Sequence, residues 1–531
     1  MVLAALAATA TPSFALRGGV ESVQPYSFTG SLQRAESPRA DGHVCGVTLI
    51  APQWVVTASH CARTPNQAQV GTPRGWRVRI GSLSVTSGGE LAEVDKFYRY
   101  STEVYGKDLA LLHLRTPVRA KPARIAPATP ADQTVTRIIG WGVTCDQHAP
   151  KCYPDRLREA DTVVQPDREC EVSGITAARE LCVGSPDGSI SATNMDSGGP
   201  ALVRRGGSWL LAGAVSGSNG DDTPTVYSDV SVYRKWIRDI VTGIAVPPEP
   251  HMPSLEGAVQ FGGCSGAVVR TVTAQAKDPA LLLTNGHCVQ DTRPAPGSAL
   301  VDQPAAQPVT ITDREGYPKV EARTTRLVYA TMTSTDVALY RLDRTYAELA
   351  AAGAKVFDLT TTPAAAGDRV DLLSGNWGRR WSCAVKAVVP GLREGGYVQE
   401  NALRYTSACE PGHGASGSPL IAPDGRTVVG LHNTSNDDGK SCTENNPCEV
   451  DAAGQVTVRK GARYGQQVAA VPACLAPGSV LDLSLPSCTL PPPSRLTDGA
   501  NESRVVPTLA LYKIERPLPD HGKWPLNWSG A

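Results

Sequence analysis

The first residues that could do chemistry lie in the stretch 194–200, where Ser197 follows an aspartate and precedes two glycines and a proline. Glycines permit a tight turn and let a substrate backbone come close. Main-chain N–H groups on such a turn can point at the oxyanion that develops when a serine attacks a carbonyl. The stretch therefore predicts a nucleophilic serine, which needs a base and an orienting acid from elsewhere in the chain.

A candidate base and a candidate acid lie upstream, in the order His60, Asp108, Ser197. Residues 54–61 form a β-rich run that ends in His60 and Cys61, and Asp108 opens an alternating apolar run. A serine hydroxyl is a weak nucleophile at neutral pH, whereas a histidine near its ordinary pKa can take the hydroxyl proton and return it to the leaving amine. A buried aspartate can hold one tautomer of the ring and stabilise the imidazolium. The three residues predict nucleophilic hydrolysis.

The same order of residues returns in the second half of the chain. Residues 281–288 end in His287 and Cys288, residues 335–340 contain Asp336, and residues 412–420 place Ser416 in a second glycine-rich turn. We therefore interpret the chain as an internal tandem with one catalytic set in each half.

Both sets resemble known serine peptidases. The run 194–200 is similar to the GDSGGP motif of the chymotrypsin/trypsin family, the run 54–61 to its W-V-x-T-A-x-H-C, and the run 107–114 to its D-I-A-L-L-x-L, and residues 140–142 match its G-W-G. The G-A-S-G-S-P run that holds Ser416 resembles bacterial glutamyl endopeptidase-like enzymes. The resemblance implies an all-β fold of two tandem chymotrypsin-like double β-barrel domains, each with little helix, and serine endopeptidase activity.

The resemblance also assigns roles around each nucleophile. It implies that the main-chain N–H groups of Met195 and Gly414 belong to the two oxyanion holes, although the family usually has glycine where Met195 stands. It implies that cleavage after Ala15 would free Leu16, whose amine would pair with Asp196. Ala415 replaces that aspartate in the second half, so we expect no such activation there.

Specificity residues are implied in the same way. In the first half they are Ser191, Ser218 and Thr225, a set that favours a small or medium apolar residue before the scissile bond. In the second half, His432 stands where glutamyl endopeptidases bind the substrate carboxylate, which would select Glu or Asp. The alternative is that Ser191, Thr225 and His432 are ordinary polar residues of their loops.

The 14 cysteines form an even set, which in an exported chain predicts seven disulfides. The family pattern implies Cys45–Cys61, Cys170–Cys182 and Cys264–Cys288, and proximity suggests Cys145–Cys152 as a local staple. Proximity also favours pairing of the remaining six as 383–409, 442–448 and 474–488. A bacterial pattern would instead join Cys409 to Cys442, so the connectivity of these six stays open.

The domain organisation follows from composition and motifs. We expect a signal peptide over 1–15, a first peptidase domain over 16–243 that closes with a helix near 232–242, a Pro-rich linker over 244–255, a second peptidase domain over 256–475, and an extension of unknown role over 476–531.

Charge and composition narrow the partners. The 51 basic residues balance the 51 acidic ones, so we expect neither nucleic acid nor a membrane as partner. We expect protein or peptide substrates, a secreted monomer, and no cofactor or metal. Two alternatives remain. In one, only the second domain is active, and the first, in which Met195 replaces the usual glycine, is a degenerate substrate-binding or structural domain. The other is a non-catalytic binding protein on the same fold.

Overall fold

The computed structural model describes residues 16–103, 106–145, 149–218, 223–250, 252–290 and 292–493. The expected signal peptide over 1–15 lies outside these residues, as do residues 494–531 of the predicted extension. The chain divides between residues 251 and 252 into two compact units, a position within the range expected to be a linker. The finer domain boundaries stay predictions.

The first unit is built almost entirely from short strands. Its strands are β1 (Val20–Glu21), β2 (Thr29–Gln33), β3 (His43–Ala51), β4 (Trp54–Thr57), β5 (Val70–Gly71), β6 (Arg77–Ile80), β7 (Glu90–Arg99), β8 (Ala110–Leu114), β9 (Arg124–Ile125), β10 (Val135–Gly140), β11 (Arg158–Gln165), β12 (Glu180–Val183), β13 (Pro200–Arg205), β14 (Ser208–Gly217) and β15 (Thr225–Asp229). Helix α1 (Arg234–Val241) follows, and 3-10 turns lie at His60–Ala62, Pro150–Cys152 and Asp167–Ser173.

The second unit repeats this plan with longer strands. Its strands are β16 (Ala258–Phe261), β17 (Cys264–Arg270), β18 (Pro279–Thr284), β19 (Ala299–Pro304), β20 (Pro308–Thr312), β21 (Pro318–Thr331), β22 (Val337–Thr345), β23 (Phe357–Leu359), β24 (Arg369–Ser374), β25 (Arg379–Glu394), β26 (Tyr397–Tyr405), β27 (Pro419–Ile421), β28 (Thr427–Ser435), β29 (Cys448–Val450), β30 (Val456–Val458), β31 (Arg463–Gln467), β32 (Leu475–Ala476) and β33 (Val480–Leu481). Helix α2 is Tyr346–Ala351, and 3-10 turns lie at Gly286–Cys288 and Pro472–Cys474.

Strand pairing closes two six-stranded barrels in each unit. In the first unit the rings run β7-β6-β2-β3-β4-β8 and β11-β10-β13-β14-β15-β12, and pairing of the terminal strands closes each. In the second unit the rings run β16-β20-β21-β22-β18-β17 and β28-β27-β24-β25-β26-β31. The predicted all-β fold of two tandem double-barrel domains is confirmed. Closure removes the unpaired edges that an open sheet would expose.

The barrels are held by apolar side chains that alternate along the strands. In β21, Val320 and Ala322 are buried while their neighbours Lys319 and Glu321 are not, as the two-residue period of a strand demands. Each fully buried Leu, Ile or Val stabilises the fold by about 1.5–3 kcal/mol relative to exposure. In the described part of the chain, no helix is long and apolar enough to cross a membrane.

All 14 cysteines are paired in seven disulfides. The bonds expected by resemblance or proximity form: Cys45–Cys61, Cys145–Cys152, Cys170–Cys182 and Cys264–Cys288. The six that the sequence left open pair as Cys383–Cys409, Cys442–Cys448 and Cys474–Cys488. Each cysteine is thus bonded to a near neighbour in the chain, and the alternative link from Cys409 to Cys442 does not form.

The segment that follows the second barrel packs against it. Leu475 and Leu490 are buried in the same core cluster as Leu281 and Leu339, and the Tyr329 hydroxyl donates to the carbonyl of Pro491 at 2.9 Å. Residues 476–493 of the predicted extension therefore contribute to the hydrophobic core of the second unit.

Candidate active sites

Strand register brings the first predicted base and acid together. Strands β4 and β8 are antiparallel neighbours, with Thr57 opposite Ala110. His60 lies three residues beyond Thr57, and Asp108 lies two residues before Ala110, so both side chains emerge at the same end of the pair. The register therefore accounts for the meeting of two residues that are far apart in sequence.

The contact between them has the geometry of an oriented catalytic histidine. His60 Nδ1 lies 2.7 Å from Asp108 Oδ2, and the His60 main-chain N–H donates to Asp108 Oδ1 at 2.9 Å. Asp108 is fully buried, whereas His60 is partly exposed. The Ser216 hydroxyl also donates to Asp108 Oδ2, at 2.8 Å. The carboxylate thus fixes the ring through Nδ1 and leaves Nε2 free to exchange a proton.

The turn that carries Ser197 is held beside this pair. The Gly46 N–H donates to the Ser197 carbonyl at 2.8 Å, and the Gly198 N–H donates to the Val215 carbonyl at 2.8 Å. Gly198 has φ 74°, and a Cβ there would lie 2.8 Å from the Ala58 main-chain nitrogen. Only glycine fits this close approach, which seats the turn against the segment that leads to His60.

The Ser197 hydroxyl is partly exposed. Within the described residues, no hydrogen bond joins it to the His60 ring. Such bonds are often long in the absence of substrate and tighten in the reacting complex. The structure therefore seats the Ser197 turn against the segment that leads to His60, and the catalytic role of the three residues stays a prediction.

Met195 takes up the backbone conformation that the family usually gives to glycine. Its φ is 74°, in the left-handed region, and its carbonyl lies 3.0 Å from His43 Nε2. His43 Nδ1 lies 2.7 Å from the Ser31 hydroxyl. Burial, aided by the nearby Arg39 cation, lowers the pKa of His43 to about 3. The neutral ring therefore donates from Nε2 to Met195 and accepts at Nδ1 from Ser31.

Asp196 turns inward, away from the nucleophile. Its buried carboxylate accepts from the Gly142 N–H at 2.7 Å, the Thr193 N–H at 2.9 Å and the Thr193 hydroxyl at 3.0 Å. Burial nevertheless raises its pKa to about 6. A Cβ at Gly140 or Gly142 would collide with this carboxylate, which explains the G-W-G motif in physical terms.

Leu16, the other half of the expected activation pair, is buried in the second barrel of the first unit. It packs in a cluster with Ala192, Leu181 and Tyr227. Burial and the neighbouring Asp196 carboxylate raise the pKa of Tyr227 well above its ordinary value. No hydrogen bond or ion pair joins Leu16 to Asp196 among the described residues.

Two of the three predicted specificity residues of the first unit meet. The Thr225 hydroxyl accepts from the Ala192 N–H at 3.0 Å, which places Thr225 next to Ser191. Ser191 is buried and donates to the Gly188 carbonyl at 3.1 Å. Ser218 lies just beyond β14 and is partly exposed. Thr225 and Ser191 are thus near neighbours, and backbone groups engage both hydroxyls.

The second unit builds an equivalent pair from the same register. Thr284 lies opposite Ala338 in β18 and β22, so His287 and Asp336 emerge together. His287 Nδ1 lies 2.8 Å from Asp336 Oδ2, and the His287 N–H donates to Asp336 Oδ1 at 3.1 Å. Burial acts to lower the pKa of His287, but the attraction of Asp336 outweighs it and the pKa is raised.

The second nucleophile turn repeats the first in its backbone. Gly414 and Gly417 have φ 84° and 77°, and the Ser265 N–H donates to the Ser416 carbonyl at 2.8 Å. The Ser416 hydroxyl donates to the Asn433 carbonyl at 3.3 Å and makes no hydrogen bond to the His287 ring in the described part of the chain. The side chain of Ala415, the counterpart of Asp196, is buried.

Asn285 is a polar residue of this site that the sequence analysis missed. Its side chain is fully buried and bonds both the turn after Ser416 and the backbone of Asp336. The signal was present, because an asparagine inside an otherwise apolar run before His287 must find partners when buried.

His432 lies directly behind the second nucleophile turn. Its carbonyl accepts from the Gly417 N–H at 3.0 Å. The ring is buried, and its Nδ1 has no hydrogen-bond partner among the described residues. Burial, followed by the charges of His287 and Arg463, lowers its pKa to about 3. Nearby, the Asp437 carboxylate accepts from His413 Nε2 at 2.7 Å and from the Ser435 hydroxyl at 2.6 Å.

Each site also groups a histidine with two cysteines. The groups are Cys45, His60 and Cys61, and Cys264, His287 and Cys288. Zinc requires cysteine as thiolate, and these sulfurs are bonded to each other. Neither group therefore offers a metal a thiolate ligand.

Known proteins match both units. The sequence profile of the family described as Trypsin matches residues 17–237, and that of the Trypsin-like peptidase domain matches residues 264–431. Human Trypsin-3 is 32% identical over 224 residues, which cover 40% of this chain and 69% of Trypsin-3. The chain belongs to the trypsin family. Human transmembrane protease serine 5 is 32% identical over 217 residues, which cover 37% of this chain and 46% of that relative, so the chain spans less than half of that relative's length.

The predicted resemblance to tandem trypsin-fold peptidases is confirmed. The chain holds two trypsin-like serine protease domains, and the first is a serine-type endopeptidase domain of the trypsin family. The likeness of the second domain to glutamyl endopeptidases stays a prediction.

Proposed function

We propose that the protein is a secreted serine endopeptidase that hydrolyses peptide bonds of protein or peptide substrates at two sites. The observation that carries the proposal is the occurrence, once in each domain, of a hydrogen-bonded histidine–aspartate pair beside a serine on a glycine-rich turn. The seven disulfides support the proposed secretion, because disulfides persist in an oxidising compartment.

The chemistry follows from the arrangement of the groups. Ser197 Oγ bonds to the scissile carbonyl carbon as His60 Nε2 takes its proton, and Asp108 stabilises the imidazolium. The N–H groups of Met195 and Ser197 face the oxyanion. Collapse expels the amine, which takes the proton from His60 and leaves an acyl-enzyme. A water molecule, deprotonated by His60, then releases the acid and restores the serine.

His287, Asp336 and Ser416 perform the same steps in the second domain, with Gly414 in the oxyanion hole. His287 must be neutral to accept the serine proton, and its raised pKa makes it a stronger base than an ordinary histidine. A histidine with a raised pKa is also protonated at mildly acidic pH, so the second domain should lose activity there.

The first domain requires an ordered turn for this chemistry. We propose that the amine freed by cleavage before Leu16 pairs with Asp196. Burial raises the pKa of this carboxylate to about 6 despite the nearby Arg39 cation, and a buried ammonium group paired with it would offset the cost of burial. Intact mass and N-terminal sequencing of the secreted protein test this step, and a start at any residue other than Leu16 contradicts it.

Specificity differs between the domains. We propose that Thr225 and Ser191 shorten the first pocket, so that Ser218 and the neighbouring strand bind a small or medium apolar residue before the scissile bond. Support comes from the burial of both residues and from the bond between Thr225 and Ala192. Thr225→Gly should enlarge the pocket and move cleavage towards larger residues in a peptide library, and an unchanged profile contradicts the assignment.

In the second domain we propose selection of Glu or Asp through His432. Support comes from the place of His432 directly behind the Ser416 turn and from its unpaired Nδ1, which can donate to a substrate carboxylate in the tautomer that carries the proton on Nδ1. His432→Ala should lower kcat/KM for Glu and Asp substrates far more than for Ala substrates. An equal loss for all substrates would contradict a role in selection.

A fluorophosphonate label tests the whole proposal. It should modify Ser197 and Ser416, located by peptide mass, and each single Ser→Ala variant should remove one label and one part of the turnover. Replacement of either serine by alanine should lower kcat of its own domain by about 10⁴-fold or more. If neither serine is labelled, the chain is a binding protein on this fold.

One observation favours a second candidate, in which only the second domain is active. Met195 holds a left-handed backbone conformation that costs a non-glycine residue about 1–2 kcal/mol, so its oxyanion N–H depends on neighbouring contacts. Labelling of Ser416 alone would establish this candidate.

A further inference from the structure

The Asn285 side chain joins the two halves of the second active site. Its Oδ1 accepts from the Gly417 N–H at 2.5 Å, and its Nδ2 donates to the Asp336 carbonyl at 2.8 Å. Gly417 directly follows Ser416, and Asp336 orients His287. We propose that Asn285 is a positioning residue that fixes the Ser416 turn relative to the His287–Asp336 pair. This inference rests on the proposed function of the second domain.

Both ends of the amide are needed for this role. The oxygen faces an N–H and the nitrogen faces a carbonyl, so rotation of the amide by 180° would oppose donor to donor and acceptor to acceptor. The side chain is fully buried, where no water can replace a lost partner, and a buried polar group without a partner is destabilising. The bridge is therefore fixed in one orientation.

The first domain lacks this bridge and orders its turn by other means. Its equivalent of Asn285 is Ala58, which has no polar side-chain atom. Among the described residues, the Gly198 N–H bonds only the Val215 carbonyl, whereas the Gly417 N–H bonds both the His432 carbonyl and Asn285 Oδ1. The anchor in the first domain is the Asp196 carboxylate, and the second domain has Ala415 in that place.

The two anchors differ in charge, and this difference determines whether each needs a partner from outside the turn. A carboxylate anchor is costly to bury, since burial raises the Asp196 pKa despite the nearby Arg39 cation, and in the first domain we assign the pairing cation to a freed chain terminus. The amide is neutral and meets both partners within the domain. Asn285 therefore orders the second nucleophile turn without any cleavage of the chain, as an internal domain requires.

The test uses the full chain with Ser197→Ala, so that all turnover comes from the second domain. Asn285→Ala installs the residue of the first domain, and Asn285→Leu fills the same volume without hydrogen bonds. Both should lower kcat by about 10²-fold with KM changed less than about threefold, because a misplaced reacting group slows the chemical step more than binding. The matched control is Asn436→Ala, which removes a buried asparagine that bonds Gly439, Lys440 and Pro447.

Hydrogen exchange provides a readout that does not depend on turnover. Amides in a peptide covering Gly414 to Ser418 should exchange at least about tenfold faster in Asn285→Ala, while the peptide covering β22 keeps its parental rate. The control variant should leave the turn peptide unchanged.

The outcomes separate the inference from the proposed function. A parent that shows no turnover and no label on Ser416 contradicts the proposed function, and exchange at the turn still decides whether Asn285 orders it. An active parent with kcat retained in both Asn285 variants, or with unchanged exchange at the turn, overturns the inference. Equal losses in the Asn285 and Asn436 variants overturn it as well, because they would reflect general destabilisation.

Discussion

The nucleophile turns of the two domains share one backbone but have different anchors. Met195 and Gly414 have φ of 74° and 84°, and Gly198 and Gly417 have φ of 74° and 77°. The serine carbonyl in each turn accepts an N–H from a neighbouring strand at 2.8 Å. The carboxylate of Asp196 holds the first turn from inside, whereas the amide of Asn285 holds the second from the strand that leads to the histidine.

The conformation of the turn therefore does not determine which group orders it. A buried charge can order it, but the pKa of that charge is displaced unless a counter-charge arrives. A neutral amide orders it at once, provided that a donor and an acceptor lie within reach. The first arrangement suits control by cleavage, and the second suits a domain that is active as soon as it folds.

The largest expected effect comes from removal of the first anchor. Asp196→Ala, measured in a Ser416→Ala background, should lower the turnover of the first domain by about 10²–10³-fold, because the oxyanion N–H groups lose their fixed direction. The reciprocal change Ala415→Asp should destabilise the second domain, since a carboxylate at this fully buried position would lose its hydration. Peptide hydrolysis and calorimetry measure the two effects. Retained turnover in Asp196→Ala would show that the carboxylate does not order the turn.

A smaller effect concerns pH. In the Ser197→Ala background, kcat/KM should fall on the acid side through a pKa above 6.5, because the imidazolium of His287, which Asp336 stabilises, cannot accept a proton. Glu394 and Arg293 lie near enough to act on this ring with opposite signs. Glu394→Gln should therefore move the acid limb to lower pH and Arg293→Gln to higher pH. Movement of both in the same direction would contradict the electrostatic assignment.

The smallest effect is on stability. Met195→Gly should stabilise the first domain by about 0.5–1 kcal/mol, since glycine removes the cost of the left-handed conformation but gains entropy when unfolded. Gly414→Ala should destabilise the second domain by about 1–2 kcal/mol, because the new Cβ would lie 2.8 Å from Asn376 Nδ2. Calorimetry that resolves the two domains measures both. A destabilised Met195→Gly would mean that the methionine side chain contributes more by packing than its backbone costs.

Much of this architecture could be predicted from the sequence. The runs that end in His60 and His287 carry a barrel strand and the proposed catalytic histidine in one continuous segment, so the local sequence pattern was sufficient. The same holds for Asp108 and Asp336. Each lies just before an apolar strand that pairs with the strand leading to His60 or His287. The disulfides formed between cysteines close in the chain, where proximity was a sound guide.

Contacts between the two barrels of a domain were beyond sequence reasoning. Ser216 lies on β14 in the second barrel of the first domain, and its hydroxyl donates to Asp108, which precedes β8 of the first barrel. Asn285 reaches Gly417 across 132 positions of the chain. Such contacts depend on how one closed barrel packs on the other, and no periodicity or motif encodes that placement.

The packing of residues 475–491 sets the limits of any fragment used to study the second domain. Expression that stops at residue 475 would leave the thiol of Cys474 without Cys488 and open the apolar surface that Leu490 covers. Such a fragment should form mixed disulfides and precipitate, whereas one extended through Pro493 should stay monodisperse.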